Sequence, residues 1–142
     1  MGGVAERNIR ANGMSHVSLD RRAAGPTTGE RIVVGKTPVE TVCLDDACRQ
    51  YAIAQVRALK VDVDGADFGV LEGAQDLLRT HRPLIIVEMA DRQGEIYDLL
   101  RETGYRHLLG MRGESVSPGA WPPNLIASMD EVRFPRRGTL SG

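Results

Sequence analysis

The stretch that most constrains the fold runs from Ala58 to Val87, ALKVDVDGADFGVLEGAQDLLRTHRPLIIV. Ala58 to Val63 is a short β-rich run. From Asp67 to Arg79 the apolar positions Val70, Leu71, Ala74, Leu77 and Leu78 recur at helical spacing, which predicts a helix with one buried stripe. Pro83 ends the following turn. Leu84 to Val87 is nearly continuously apolar, as expected of a strand covered on both faces in a parallel sheet. Strand, helix and strand in this order predict an α/β fold with a mainly parallel sheet.

The flanks fit that frame. Val4 to Ala11 suits a short helix stopped by Asn12-Gly13. His16 to Leu19 is a brief strand candidate. Arg31 to Val34 and Glu40 to Leu44 flank a Gly-Lys-Thr-Pro turn and suggest a hairpin. Asp45 to Val56 reads as a helix with acidic residues at its start, where negative charge is favoured. Gln93 to Thr103 is a further helix, with Ile96, Leu99 and Leu100 inward and Gly104 as its stop. Tyr105 to Leu109 and Leu125 to Met129 are strands, predicted as a C-terminal antiparallel pair and joined by a Gly- and Pro-rich loop. Residues 135–142 read as a disordered tail, which leaves one domain over 4–134.

Composition excludes several function classes. At 142 residues the chain is long enough for one core, and 42% hydrophobic with 26% charged residues is ordinary for a globular protein. A formal net charge of −1 gives no field to draw in nucleic acid or an anionic membrane, so neither is expected as a partner. The Arg136-Arg137 pair reads as a solvated tail. No apolar run reaches the length of a membrane span, and the N-terminus lacks a signal-peptide core. Cys43 and Cys48 form neither a CxxC motif nor a zinc set. They are expected to be reduced thiols in a cytoplasmic protein.

The candidate chemistry lies at the carboxyl ends of the two central strands, where open α/β sheets bind ligands. Those ends are Asp62 to Asp67 and Glu88 to Asp91. The run DVDGAD superficially resembles a calcium loop. Counted from Asp62, however, the turn position that needs glycine holds Asp67, and the position that needs a bidentate acid holds Gly73. No metal site is therefore expected. On a strand, Lys60 and Asp62 share one face. Gly65 permits a tight turn, and Asp67 is placed to cap the following helix. Lys60 with Asp62 reads equally as a plain ion pair, and Glu88 equally as a solvated strand end.

The same stretch resembles the signature of FkbM-type methyltransferases. That family has a strand reading approximately K-x-D-x-E-G-x-E, a helix v-L-x-G-A and a later strand from Pro to Glu. Lys60, Asp62, Gly65, Leu71, Gly73, Ala74, Pro83 and Glu88 match, while Asp64 and Asp67 stand where glutamate is usual. Upstream, Asn8 and Asn12-Gly13 are similar to the family's N-x-x-x-N-G helix end. Ala23 falls at its small residue after the third strand, and Thr41 to Asp45 at its v-x-L-D segment. Gly104-Tyr105 matches its G-Y.

The resemblance implies a Rossmann-like class I methyltransferase sheet and S-adenosylmethionine as cofactor. The implied reaction is methylation of a hydroxyl oxygen on a sugar, polyketide or similar small molecule. Asp62 is then the candidate base or acceptor-positioning group, with Lys60 keeping it ionised and Glu88 beside it. Arg22 and Ala23 would border the adenine, with Asp62 near the methyl end of the cofactor.

The resemblance also implies a strand order 3-2-1-4-5-7-6 and, before its third strand, a glycine-rich D-x-G-A-N-x-G turn that this chain does not contain. The expectation is a sheet truncated at the N-terminus that binds cofactor weakly or not at all. Ala58–Val63 would then be an open edge through which the chain pairs with another copy. The alternative reading is a non-catalytic binding or assembly module completed by a partner chain.

Overall fold

The computed structural model describes residues 3–133. The domain end at Phe134, the expected tail 135–142 and the Arg136-Arg137 pair lie outside the described residues. The chain runs α1 (Val4–Ala11), β1 (Ala23–Ala24), β2 (Arg31–Val34), β3 (Thr37–Val42), α2 (Leu44–Gln50), β4 (Ala58–Val61), α3 (Asp67–Glu72), α4 (Gln75–His81), β5 (Leu84–Glu88), α5 (Gln93–Glu102), β6 (His107–Gly110) and β7 (Asn124–Ser128).

Among the described residues the strands form two sheets. A four-stranded sheet has the order β4-β5-β7-β6, and a three-stranded sheet the order β1-β3-β2. The strand–helix–strand unit predicted from Ala58 to Val87 is present, with β4 and β5 parallel. The pairs β5–β7 and β6–β7 are antiparallel, so the larger sheet is mixed rather than mainly parallel. The expected C-terminal antiparallel pair is β6 with β7, and β4 stands at the sheet edge.

The α3–α5 stripes share one core with a single face of this sheet. Val61, Ile85, Val87, Leu125 and Ala127 meet Val70, Leu71, Leu78, Ile96 and Leu100, all buried. Tyr105 closes one end of the core, and its hydroxyl donates to the Pro83 carbonyl at 2.9 Å. Burial of its neighbours on β5 alternates as a pleat requires. Leu84 is therefore exposed and Ile86 only half-buried, not covered on both faces as its apolar run suggested.

Three other local expectations are corrected. His16–Leu19 forms no strand; β1 is instead the two-residue Ala23–Ala24, paired in parallel with Thr41 and Val42. The helix expected over Asp67–Arg79 is broken into α3 and α4 at Gly73-Ala74. The helix expected to reach Val56 ends at Gln50, where Ala52 takes a left-handed backbone, φ 50°. The expected hairpin forms, β2 against β3, but Thr37 and Pro38 belong to β3 rather than to the turn, which is confined to Gly35 (φ 63°) and Lys36, and β3 ends at Val42.

The break at Gly73 joins the two sheets' substructures. A side chain there would overlap the Gly25 carbonyl oxygen and lie 2.8 Å from Cys43 Cβ. Across the same junction the Asp45 amide donates to the Gly73 carbonyl at 3.0 Å. The Asp45 carboxylate accepts from the amides of Asp76 (3.1 Å) and Leu77 (2.8 Å) at the start of α4. One acid thus satisfies two of that helix's orphan donors from outside it.

Candidate active site at the carboxyl ends of β4 and β5

The parallel register aligns Lys60 with Ile86 and Val61 with Val87. Two residues beyond the first pair, Asp62 and Glu88 come side by side on the same face, because side chains alternate along each strand. Lys60 and Asp62 form an ion pair, and both side chains are half or more exposed.

Beyond Asp62 the chain turns sharply. Asp64 (φ 47°) and Gly65 (φ 88°) are successive left-handed residues, a conformation that glycine and, less readily, aspartate accept. Asp67 holds the turn. Its carboxylate accepts from the amides of Val63 and Gly65, both at 3.2 Å, and it is 1% exposed. Asp67 is therefore not the N-cap; Ala66 occupies that position, without a side-chain cap. The buried acid serves the loop before the helix instead.

The carboxylates are electrostatically divided. The hydrogen bond from Lys60, and then its charge, hold the Asp62 carboxyl below its ordinary range. Partial burial, followed by the charges of Asp62, Asp67 and Asp64, pushes the Glu88 carboxyl up. The proton affinities of two neighbouring acids are thus pushed in opposite directions, a pattern that separates roles in active sites.

Lys60, Asp62 and Glu88, singled out from sequence, are brought together. Arg22 and Ala23 lie in the other substructure. Ala23 is a β1 residue, and Arg22 donates to Asp20 (2.7 Å) and Gln50 (2.9 Å). Tyr51 also donates to Asp20, whose carboxyl is held low chiefly by Arg22.

One neighbour of the site was not foreseen. Asn124 on β7 pairs directly with Glu88. An asparagine so far away in sequence leaves no local signal; only the strand register reveals it. Elsewhere a hollow of about 330 Å³ lies between α2 and α4, near Cys48 and His81. His81 Nδ1 there accepts from the Val56 amide at 2.9 Å, which gives the imidazole a structural task. Among the described residues no helix is long and apolar enough to cross a membrane, and no group of three or more His, Cys, Asp or Glu is arranged to hold a metal.

Residues 5–107 match the model of the methyltransferase FkbM domain. The chain belongs to the FkbM methyltransferase domain family. The matched span contains both the Gly73–Asp45 junction and the carboxylate cluster. A crystal structure of methyltransferase FkbM from Methylobacillus flagellatus KT shares the fold, with a TM-score of 0.53 and 21% sequence identity. The similarity covers 87% of this chain and 32% of that one, so this chain spans about a third of that protein's length. No curated protein matches the chain.

Proposed function

We propose that this FkbM domain serves the transfer of a methyl group from S-adenosylmethionine to a hydroxyl oxygen of a sugar, polyketide or similar small molecule. Family membership supports methyl transfer. The observation that carries the choice of oxygen is the divided pair Asp62 and Glu88, since a hydroxyl must lose its proton as it is methylated.

The residues present fit the donor's charge. Asp62, Asp64, Asp67 and Glu88 make an anionic field at the strand ends, and that field complements a sulfonium cation. Asp62 would face the charged end of the donor, with Arg22 and Ala23 the candidates for its adenine end. When bound, the donor supplies an electrophilic methyl group. Asp62, kept ionised by Lys60, orients the acceptor hydroxyl as a hydrogen-bond acceptor. Glu88, whose carboxyl stands above its ordinary range, is the stronger base and takes the proton. Most of the remaining acceleration comes from alignment of the oxygen.

The test is transfer of isotopically labelled methyl from S-adenosylmethionine to a panel of sugar and polyketide alcohols. Label should appear as a methyl ether, and Glu88→Gln should lower turnover about 10²-fold or more, the usual worth of a general base. Label found on nitrogen or sulfur, full turnover by Glu88→Gln, or no transfer to any alcohol at saturating donor would overturn the reading.

A further inference from the structure

We propose that the hollow formed by the β6–β7 connection is the acceptor subsite, and that it selects hydroxylated small molecules carrying an anionic group, a carboxylate or a phosphate. The inference rests on the reading of Asp62 and Glu88 as the acceptor's chemical partners. It adds where the rest of the acceptor lies and what chemical class it belongs to.

Three observations converge. The first is position. The hollow, about 290 Å³, is lined by Met111, Arg112, Glu114, Pro122, Pro123 and Asn124. Asn124 is the register partner of Glu88, and the Met89 amide donates to the Pro123 carbonyl at 2.8 Å, so the hollow adjoins the proposed base. Paired residues on neighbouring antiparallel strands stand only about 5 Å apart. The volume is close to the lower end of small-ligand pockets.

The second is the division of labour inside the loop. Glu114 is folded back over Gly110, where a side chain would collide with its carboxylate. That carboxylate accepts from the Arg112 amide at 3.0 Å, and the Gly110 amide donates to the Glu114 carbonyl at 2.8 Å. Glu114 is thus engaged in closing its own turn. The Arg112 guanidinium has no ion-pair or hydrogen-bond partner among the described residues, and Arg112 is one of the residues that line the hollow. A planar, always-charged fork is suited to a carboxylate or phosphate.

The third is the direction of the field. Asp62, Asp64, Asp67 and Glu88 crowd one end of the site, and Arg112 follows the end of β6, which lies on the far side of β7 from β5. An anionic group is repelled from the first end, and at the second the cation that can receive it is Arg112, the Glu114 carboxylate being turned onto the backbone of its own loop. A molecule with an acid at one end and a hydroxyl at the other is thereby turned so that its hydroxyl meets Glu88. Met111 and the two prolines supply apolar surface for the skeleton between them.

The test is a chemical-shift titration of the isotopically labelled 142-residue chain with glucuronic acid, glucose 6-phosphate and glucose. Both acids are expected to bind about tenfold or more tightly than glucose, the order expected of a charge-assisted hydrogen bond. Shifts should be centred on Met111 to Glu114 and Asn124. Arg112→Gln should bring the ratio of acid to neutral affinity close to one, and Arg112→Lys should restore part of it. Binding of the phosphate alone, or of the carboxylate alone, would assign the anion within the class. Equal affinity for glucose, unchanged preference in Arg112→Gln, shifts centred elsewhere or no binding by any of the three would overturn the proposal. The titration needs no methyl donor. Methyl-ether formation without anion preference therefore rejects this subsite and keeps the proposed reaction, and the converse result rejects the reaction alone.

Discussion

Gly73→Ala is the substitution whose consequence is most directly fixed by geometry. Gly73 is buried at the break between α3 and α4. An added methyl would overlap the Gly25 carbonyl oxygen, stand 2.8 Å from Cys43 Cβ and 3.2 Å from the Pro26 Cα. Two of these three neighbours are backbone, so no side-chain rotation relieves the clash. Overpacking of this kind costs about 1–3 kcal/mol and sometimes more. The escape route is separation of α2 and β1 from the helix break, which stretches the Asp45–Gly73 bond and the two amide bonds to the Asp45 carboxylate. Either way the loss should be about 3 kcal/mol, a large fraction of a domain's total stability, and should lower Tm by on the order of 10 °C. Urea unfolding followed by circular dichroism measures it. Gly94→Ala is the internal control: Gly94 lies on α5 with open space around its Cα, and alanine there should stabilise by about 0.5 kcal/mol. Because both residues hold one junction, Gly73→Ala and Asp45→Ala should be less than additive when combined. A Gly73→Ala protein within about 0.5 kcal/mol of the parent, the range of an innocuous surface change, would refute the claim that this contact ties the two substructures together.

Asp45→Ala alone should cost about 1–2 kcal/mol, since it orphans two amides at the start of α4; urea unfolding and faster hydrogen exchange at Asp76 and Leu77 report it. Tyr105→Phe should cost about 1–2 kcal/mol in thermal unfolding by leaving the buried Pro83 carbonyl unpaired. In the parent, burial pushes the Tyr105 phenol up, so alkaline titration at 295 nm should show one of the three tyrosines ionising last. Asp62→Asn should lower the Glu88 pKa in a carbon-13 titration without returning it to 4.5, because burial, the larger cause, remains. Glu88 also sets a pH dependence. A carboxyl raised in the folded state binds more protons there, so stability falls as pH rises from 4.5 through the folded value. Asp62, lowered by Lys60, acts oppositely, and its contribution is lost as pH falls below 3.8. Glu88→Gln should therefore flatten the decline above pH 4.5 and leave the acid limb in place, as read from urea midpoints across pH.

Much of the fold was legible because its signals are local. Periodicity placed the helical stripes, and the apolar run at Leu84 placed β5. What failed depended on partners distant in sequence. The Val70–Leu78 stripe is continuous in sequence, yet the helix breaks at Gly73-Ala74, where the lack of a side chain leaves room for Gly25 and Cys43 from elsewhere in the chain. His16–Leu19 has strand-like composition but no paired neighbour, whereas two alanines become β1 because Thr41 and Val42 are beside them. At the site, Lys60 and Asp62 were legible as an alternating pair. Asn124 was not, because its place beside Glu88 is decided by strand register alone.

The stretch from Lys60 to Gly73 therefore carries two kinds of constraint that look alike as letters. Lys60 and Asp62 are exposed, and their ion pair contributes little to the core, so under the proposed function what constrains them is the chemistry beside Glu88. Gly73 is fixed by space and Asp67 by the amides it must satisfy. Asp67 connects the two. It is an acid buried in the scaffold, yet its bonds to Val63 and Gly65 hold the left-handed turn that begins beside Asp62, and its charge helps raise Glu88. A glutamate there would carry the same charge on a longer arm, and the two 3.2 Å bonds would have to be rebuilt from a different depth. The turn's geometry and the carboxylates' electrostatics are thus set by one residue, so the site cannot be retuned there without also reshaping the loop that presents it.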